Sequence, residues 1–461
     1  MSVRGAMRRI YHRLPVPWRP PRGVRAFQRL NEEMQWWPPA RIEEYQVRRL
    51  RAFLCHAQAH VPYYADLFAG LGFDPEQLSS LEEFRRLPLL EKACVRDNPK
   101  AFTAADWRRW KPVVRRTSGT TGQRLEVLMS ERAQHAHAAD RERRYRWAGY
   151  HPGDRLAVFL QFLSPAPEEH CYRHRPRNWL CLNLQVADSE RLRWVVARLA
   201  EFRPEGILAY PSHLYWLYQY LAEHPNEAIR PRVLMTDAEM LYDFQRQQIE
   251  AFFGVRVADY YAMSEHAASA AQCAAGAYHV GAEYALVEVL RPDGTPARPG
   301  EMGEVVGTNF ENYAMPLVRY RTGDLAVVGD DPCPCGRGLP TLARVVGRTQ
   351  DVMLTPTGPA RFPNWSFSFH DVPGVREVQI IQEEVHRFRI KAVPGPGYQE
   401  VDADRLAHAL CRSLEFPAQV AVELVERIPR TVSGKFRLME CRVPTSLWVG
   451  NLEQQPERGQ S

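Results

Sequence analysis

No stretch of this 461-residue chain is apolar for long enough to cross a bilayer. Its first residues lack the apolar core and cleavage site of a secretory signal, so a cytoplasmic location is the expectation. Cysteine is scarce and odd in number: nine, of which Cys55, Cys94, Cys171, Cys181, Cys411 and Cys441 stand alone, which is poor disulfide logic. Glycine (28) is outnumbered by proline (36), favouring fixed turns over flexible linkers. Acidic residues are missing altogether from residues 1–31. No internal repeat and no nucleic-acid-binding module signature is present, so no nucleic-acid partner is expected.

What is there reads as a globular protein: hydrophobic residues make up 45% and charged residues 25% of the chain. The net charge of +6 is uneven, with arginines from Arg4 to Arg29. Arg8, Arg9, Ile10, Tyr11 and Arg13, followed by Pro15, Trp18 and Pro20, suit peripheral contact with an anionic membrane surface or partner. The plainer reading of this stretch is a solvated, partly ordered arm. A second basic, Trp-bearing stretch over 107–116 runs straight into a glycine-threonine motif and reads as part of the folded domain.

Residues 41–70 have a rough helical period broken at Pro62-Tyr63-Tyr64. From about 130 to 262 strand and helix patterns alternate. Ser130 caps a helix toward Gly149, 156–162 reads as a strand, 189–202 as a helix and 206–210 as a strand. Ser212 is expected to cap a helix through Leu221. A strand over 233–236, a helix over 241–253 closed by Gly254, and a strand over 255–261 follow. Such βαβ alternation predicts a parallel sheet flanked by helices. After about 280 the pattern turns β-rich (287–290, 305–307 and 317–321, with a tight turn at Pro292-Asp293-Gly294). Strands near 378–381, 388–392 and 420–425 around a helix at 403–414 predict a compact α+β module. The expected organisation is an α/β protein: a basic arm over 1–40, a large domain over 41–350 with a β-rich subdomain, a small mobile α+β domain over 351–444, and a disordered polar tail over 445–461.

Five short motifs could carry chemistry. Thr117-Ser118-Gly119-Thr120-Thr121-Gly122 packs hydroxyls and glycines into one loop, letting backbone N–H groups approach phosphate oxygens. It is not the Walker loop, because no Lys-Ser/Thr follows the second glycine. Tyr260-Tyr261-Ala262-Met263-Ser264-Glu265 closes a predicted strand, at the edge where ligands of open α/β sheets gather. A tyrosine there can stack on a purine, and a carboxylate can hold Mg2+ bridging phosphates. A buried tyrosine pair with a surface glutamate is the plainer alternative. Tyr320-Arg321-Thr322-Gly323-Asp324 offers an Asp to the hydroxyls of a ribose, or merely an Asp in a hairpin turn. Gly347-Arg348-Thr349-Gln350-Asp351 marks the change of pattern and on its own reads as a polar linker. Pro429-Arg430-Thr431-Val432-Ser433-Gly434-Lys435 sets a lysine on a Gly-Ser loop, where it can reach a phosphate as a point charge.

In order and spacing these five resemble the adenylate-forming superfamily of acyl-CoA ligases, adenylation domains and luciferases. Within it the chain is most similar to phenylacetate-CoA ligases and the related capsular-polysaccharide and deazaflavin-coenzyme adenylating proteins. His60-Val61-Pro62-Tyr63-Tyr64, Leu87-Pro88-Leu89-Leu90, Ala209-Tyr210-Pro211-Ser212 and Ala238-Glu239 support the resemblance over roughly residues 45–440.

The resemblance implies that Thr117, Ser118, Gly119, Thr120, Thr121 and Gly122 hold the ATP phosphates. Ala238, Glu239, Tyr260 and Tyr261, with Ser264 beside them, line the adenine site, and Glu265 binds Mg2+. Asp324 takes the ribose, helped by Arg348. Asp351 is the hinge, and Lys435 contacts the substrate carboxylate and the α-phosphate. Three positions depart from the family pattern: Ala262 where Gly is usual, Met240 where Pro is common, and Gln123-Arg124 where Lys-Pro is frequent.

Cys273, His279, Cys333 and Cys335 form a separate set. Three cysteines and a histidine are a usual tetrahedral zinc set, with Cys-x-Cys in a Pro/Gly turn and no position left open for water. Some members of the phenylacetate-CoA ligase-like group carry a similar set here. The expectation is a structural Zn2+, against free thiols and a surface histidine.

The functional expectation is therefore an ATP- and Mg2+-dependent ligase that makes an acyl-AMP and passes the acyl group to CoA. One alternative is an adenylating enzyme with another acceptor: a pantetheine carrier protein, an amine or a sugar. Another is a non-catalytic binding descendant of the fold. The acid substrate and the oligomeric state are not legible.

Overall fold

The computed structural model describes residues 20–117, 125–164, 166, 169–184, 189–348, 353–356, 358–360, 372, 374–395, 397–414, 416–429 and 438–443. Ser118, Gly119, Thr120, Thr121, Gly122, Asp351 and Lys435 lie outside the described residues, as do the start of the arm and the tail. Contacts divide the chain into two units. One comprises 1–241, 249–322 and 326–345, the other 242–248, 323–325 and 346–461.

In the first unit, residues within the basic arm form a helix, Arg22–Met34. Val24 and Phe27 on this helix pack with Ala136, Ala139 and Tyr284. The helical period read over 41–70 resolves into two helices, Pro39–His60 and Pro62–Leu71. Pro62 ends one and opens the next, because its missing N–H falls where a helix has no use for it. Leu50, Phe53, Leu54 and Ala57 share one face and are fully buried in the same core as Tyr64, Phe68 and Phe84. Each large apolar side chain so buried contributes about 1.5–3 kcal/mol.

Two short strands, β1 (Val113–Arg116) and β2 (Glu126–Met129), form an antiparallel hairpin. The helix Glu131–Trp147 follows, capped by the Ser130 hydroxyl, which accepts from the Ala133 N–H. The main sheet begins with β3 (Leu156–Val158), β4 (Cys171–His174), β5 (Trp179–Leu182), β6 (Gly206–Ala209), β7 (Val233–Asp237) and β8 (Val257–Ala262). It continues through β9 (Ser269–Gln272), β10 (Tyr278–Val280), β11 (Ala285–Leu290), β12 (Met302–Asn309), β13 (Tyr320–Val328) and β14 (Thr341–Arg348). These twelve strands lie in the order β11-β12-β13-β14-β10-β9-β8-β7-β6-β3-β5-β4.

The neighbours β5-β3-β6-β7-β8 pair in parallel, as the alternating pattern predicts. From β8 to β9 pairing turns antiparallel, so the β-rich stretch continues the same sheet. Helices Ser189–Phe202 and Pro211–Glu223 connect the parallel strands. The second is not capped by Ser212: Tyr210 is the cap position and Pro211 the first helical residue. Among the described residues no helix is long and apolar enough to cross a membrane.

In the second unit, β17 (Val375–Glu384) and β18 (Arg387–Pro394) form a hairpin, after β15 (Met353–Thr355) and β16 (Gly358–Ala360). β19 (Gln419–Leu424) and β20 (Met439–Cys441) join β18 and β17 in parallel. The helix Val401–Ser413 buries Leu406 and Leu410. The fully buried Gln382 accepts from Leu354 N at 2.8 Å and donates to Leu354 O at 2.7 Å, completing the ladder there.

Candidate functional site

Parallel pairing sets Asp237 of β7 opposite Tyr260 of β8, so both strands end at one edge. That edge presents Ala238 and Glu239 from one strand and Met263, Ser264 and Glu265 from the other, where open parallel sheets bind ligands. Glu239 accepts from the Ser212 N–H at 3.3 Å, tying the end of β7 to the start of the helix after β6. Ser264 is exposed and Glu265 is buried.

Among the described residues Glu265 has two side-chain partners, and both approach Oε1. The Tyr320 hydroxyl donates at 3.0 Å, and Lys92 Nζ lies at 3.5 Å. Lys92 is brought there because Leu90 bridges Tyr320 in parallel. Its side chain is 35% exposed against 4% for Glu265, so the ammonium can leave for solvent and the carboxylate cannot. A hard cation needs oxygen ligands and often takes only one or two carboxylates beside phosphates. Glu265 fits that use through Oε2.

The two tyrosines part company, as alternation along a strand requires. Tyr260 is buried, donates its hydroxyl to Asp140 Oδ2 at 2.7 Å, and has the Arg144 guanidinium 4.0 Å from its ring centre. Tyr261 keeps a half-buried ring beside Ala268 and Ala270.

Asp140 also takes the Ser269 hydroxyl at 2.8 Å and Arg143 at 2.6 Å. Arg143 pairs with Glu283 as well, and Arg144 pairs with Asp237 at 2.7 Å. Burial works against the Arg143 charge, but Glu283 and Asp140 outweigh it and hold the guanidinium firmly protonated. His137 and His266 stack at 3.7 Å beside this network. Burial pushes both imidazoles well below their ordinary range, helped at His137 by the nearby arginines and at His266 by His137 and then the arginines, so they are neutral.

Thr117 stands at the root of the glycine-threonine loop. Its N–H donates to Leu125 O at 3.0 Å, and its hydroxyl accepts from Leu125 N at 2.9 Å. In the other unit, Asp324 and Arg348 come together, with Nε 3.5 Å from Oδ1. Asp324 is not in a hairpin turn. It lies within β13, where Gly323 takes a φ of 72°, a conformation that favours glycine. Gly347-Arg348 likewise ends β14 rather than opening a polar linker.

Lys92, Tyr320, Asp140, Arg144 and the histidine pair were not singled out from the sequence. Tyr320 lies inside a quoted motif, but only its fold partner Glu265 gives it a role.

The cysteine set converges. One donor atom from each of Cys273, His279, Cys333 and Cys335 lies within 4.8 Å of the others. Cys273 and Cys333 are 3.8 Å apart, and Cys335 Sγ is 3.2 Å from His279 Nε2. Two thiolates on a tetrahedral zinc at the usual bond length stand about 3.8 Å apart. His279 Nδ1 lies 3.2 Å from the Leu339 carbonyl, which can only accept. The proton is therefore on Nδ1, and the Nε2 lone pair faces the cluster. Burial lowers this imidazole to about 4, keeping it neutral. The set fits zinc, and its hairpin β9–β10 would be fastened to the turn before β14.

The CapK C-terminal domain family matches residues 364–441. Phenylacetate-coenzyme A ligase of Thermus thermophilus is 27% identical over 338 residues, covering 70% of this chain and 74% of its own. Protein CapK of Staphylococcus aureus is 22% identical over 413 residues, 86% of this chain and 88% of that one. The crystal structure of 2-hydroxyisobutyryl-CoA ligase in its postadenylation state, in complex with R3-HIB-AMP, superposes with a TM-score of 0.69. That match covers 89% of this chain and 92% of that one at 18% identity, a likeness of fold. By these relatives and this fold, the chain is similar to the adenylate-forming superfamily of ligases, and within it to the phenylacetate-CoA ligase-like group.

Proposed function

We propose that this protein is an AMP-forming ligase that activates a carboxylic acid with ATP and passes the acyl group to the thiol of CoA. The observation that carries the reading is Glu265: a buried carboxylate at the ligand edge of the parallel strands, held by one hydroxyl and a displaceable lysine. The relatives named phenylacetate-coenzyme A ligase support the acyl-transfer half.

In the first step a carboxylate oxygen bonds to the α-phosphorus, pyrophosphate leaves, and a mixed anhydride remains. Mg2+ held by Glu265 supplies positive charge against the repulsion between the acid and the triphosphate. Thr117 to Gly122 cradle phosphates, Ala238, Glu239 and Tyr261 border the adenine, and Asp324 with Arg348 takes the ribose. Tyr260 supports that wall from beneath. Lys435 meets the carboxylate and the α-phosphate. In the second step the thiol sulfur bonds to the acyl carbon and AMP leaves, after the small domain has turned about Asp351. The Cys273, His279, Cys333 and Cys335 set holds a structural Zn2+.

ATP–pyrophosphate exchange across a broad acid library tests the reading: one acid class should give exchange that requires Mg2+. Exchange with none counts for a non-catalytic binding descendant. Lys435→Ala should nearly abolish acyl-AMP formation and spare thioester formation from supplied acyl-AMP. Equal loss in both assays removes the role. The CapK match, whose name specifies no CoA, is the ground for a second reading, in which the acceptor is a carrier protein's pantetheine, an amine or a sugar. Exchange without CoA-dependent AMP release would select it.

A further inference from the structure

A second cluster of metal-binding side chains lies in the first unit, apart from the cysteines. His56 and His60 occupy positions i and i+4 at the end of the helix Pro39–His60, so they share one face. Their rings stand 4.7 Å apart. Asp106 faces them from the stretch leading into β1, and one donor atom from each of the three lies within 4.8 Å of the others.

Two observations point to a ligand. First, Asp106 Oδ1 is buried and has no hydrogen-bond partner among the described residues. It sits 3.8 Å from His56 Nε2, beyond hydrogen-bond reach. A buried carboxylate oxygen left bare is costly unless a cation meets it. Second, two further polar atoms, Asp106 Oδ2 and His56 Nε2, are held from outside the cluster. Trp110 Nε1 donates to Asp106 Oδ2 at 3.2 Å, and the Tyr313 carbonyl lies 3.0 Å from His56 Nε2. A carbonyl only accepts, so Nε2 carries the proton and the neutral ring keeps its lone pair on Nδ1. Metal-binding imidazoles and carboxylates are characteristically fixed in this way by their outer neighbours. The last turn of a helix also favours positive charge.

We propose that His56, His60 and Asp106 form a binding site for a borderline divalent transition metal such as Zn2+, Co2+ or Ni2+. Two imidazoles and one carboxylate suit such an ion and not Mg2+ or Ca2+. The ion fastens the end of the long helix to the chain that runs through Trp110 into β1 and Thr117. The site is independent of the ligase reading.

The test is a Co2+ titration of the full-length, metal-stripped protein followed by absorption. One equivalent at the cysteines gives thiolate-to-cobalt charge transfer. A further equivalent at the proposed site should add ligand-field bands and no charge transfer. His60→Gln and Asp106→Asn should each weaken that further equivalent at least tenfold and leave the charge-transfer bands intact. Asp106→Asn, nearly isosteric and partly exposed, serves if His60→Gln misfolds by circular dichroism. Saturation without bands of the second kind overturns the site, as does a further equivalent that survives Asp106→Asn. Competition by equimolar Mg2+ would overturn the choice of metal.

Discussion

Two buried carboxylates in the first unit, Asp140 and Glu265, are treated in opposite ways. Asp140 is surrounded: the hydroxyls of Tyr260 and Ser269 and the guanidinium of Arg143 all donate to it. Among the described residues Glu265 receives one hydroxyl and one lysine, on a single oxygen, and the lysine reaches solvent. A carboxylate saturated with fixed donors is part of the frame, because nothing can be exchanged without leaving a buried charge bare. A carboxylate half-supplied by a mobile cation is ready to trade it for another cation. Burial is the same in both cases, and the completeness of the partner set separates scaffold from site.

The largest expected effect falls on the frame. Arg143→Met leaves Asp140 and Glu283 without their shared cation and should cost about 3–5 kcal/mol of stability, measured by urea denaturation. A loss under 1 kcal/mol would place Asp140 in the same class as Glu265.

Why the first of these was invisible in the sequence is physical. The helix Glu131–Trp147 buries Asp140, Arg143 and Arg144 alongside Ala133, Ala136 and Ala139, so its buried face is as polar as its exposed one and hydropathy has no period there. The strand β6, the run 233–235 of β7 and the helix Ser189–Phe202 were legible because the buried positions there are apolar or glycine. β9, which reads Ser-Ala-Ala-Gln, carries almost no signal of either kind. Cys273, His279, Cys333 and Cys335 were legible as a set of residue types, since few side chains do what cysteine does. Lys92 was not: it meets Glu265 across 173 residues, and nothing local distinguishes it from any surface lysine.

Next in size is the site itself. Glu265→Gln keeps the shape and removes the charge, so pyrophosphate exchange should fall about 10²–10³-fold, with stability changed by less than about 1 kcal/mol. A variant that lost stability and kept exchange would reverse the two roles.

The smallest effect concerns pH. His137 and His266 stay neutral in the folded protein well below the ordinary 6.5, while the unfolded chain protonates them there. Below pH 6.5 the unfolded state therefore binds more protons, and stability falls as pH falls, by about 1.4 kcal/mol per pH unit for each histidine. His137→Gln should remove about one proton's share of that slope in urea denaturation at pH 5 to 6.5, with little change at pH 8. An unchanged slope would mean that the pair is protonated when folded.

Ala238, directly after β7, takes a φ of 68°, in the region that a β-carbon makes unfavourable by about 1–2 kcal/mol. Glycine would remove that steric cost but would also release the unfolded chain to wander more widely, and the two changes nearly cancel. The methyl group therefore has little bearing on how firmly the protein folds. What it governs is variety: with it, the corner before Glu239 has few shapes to sample, and without it many.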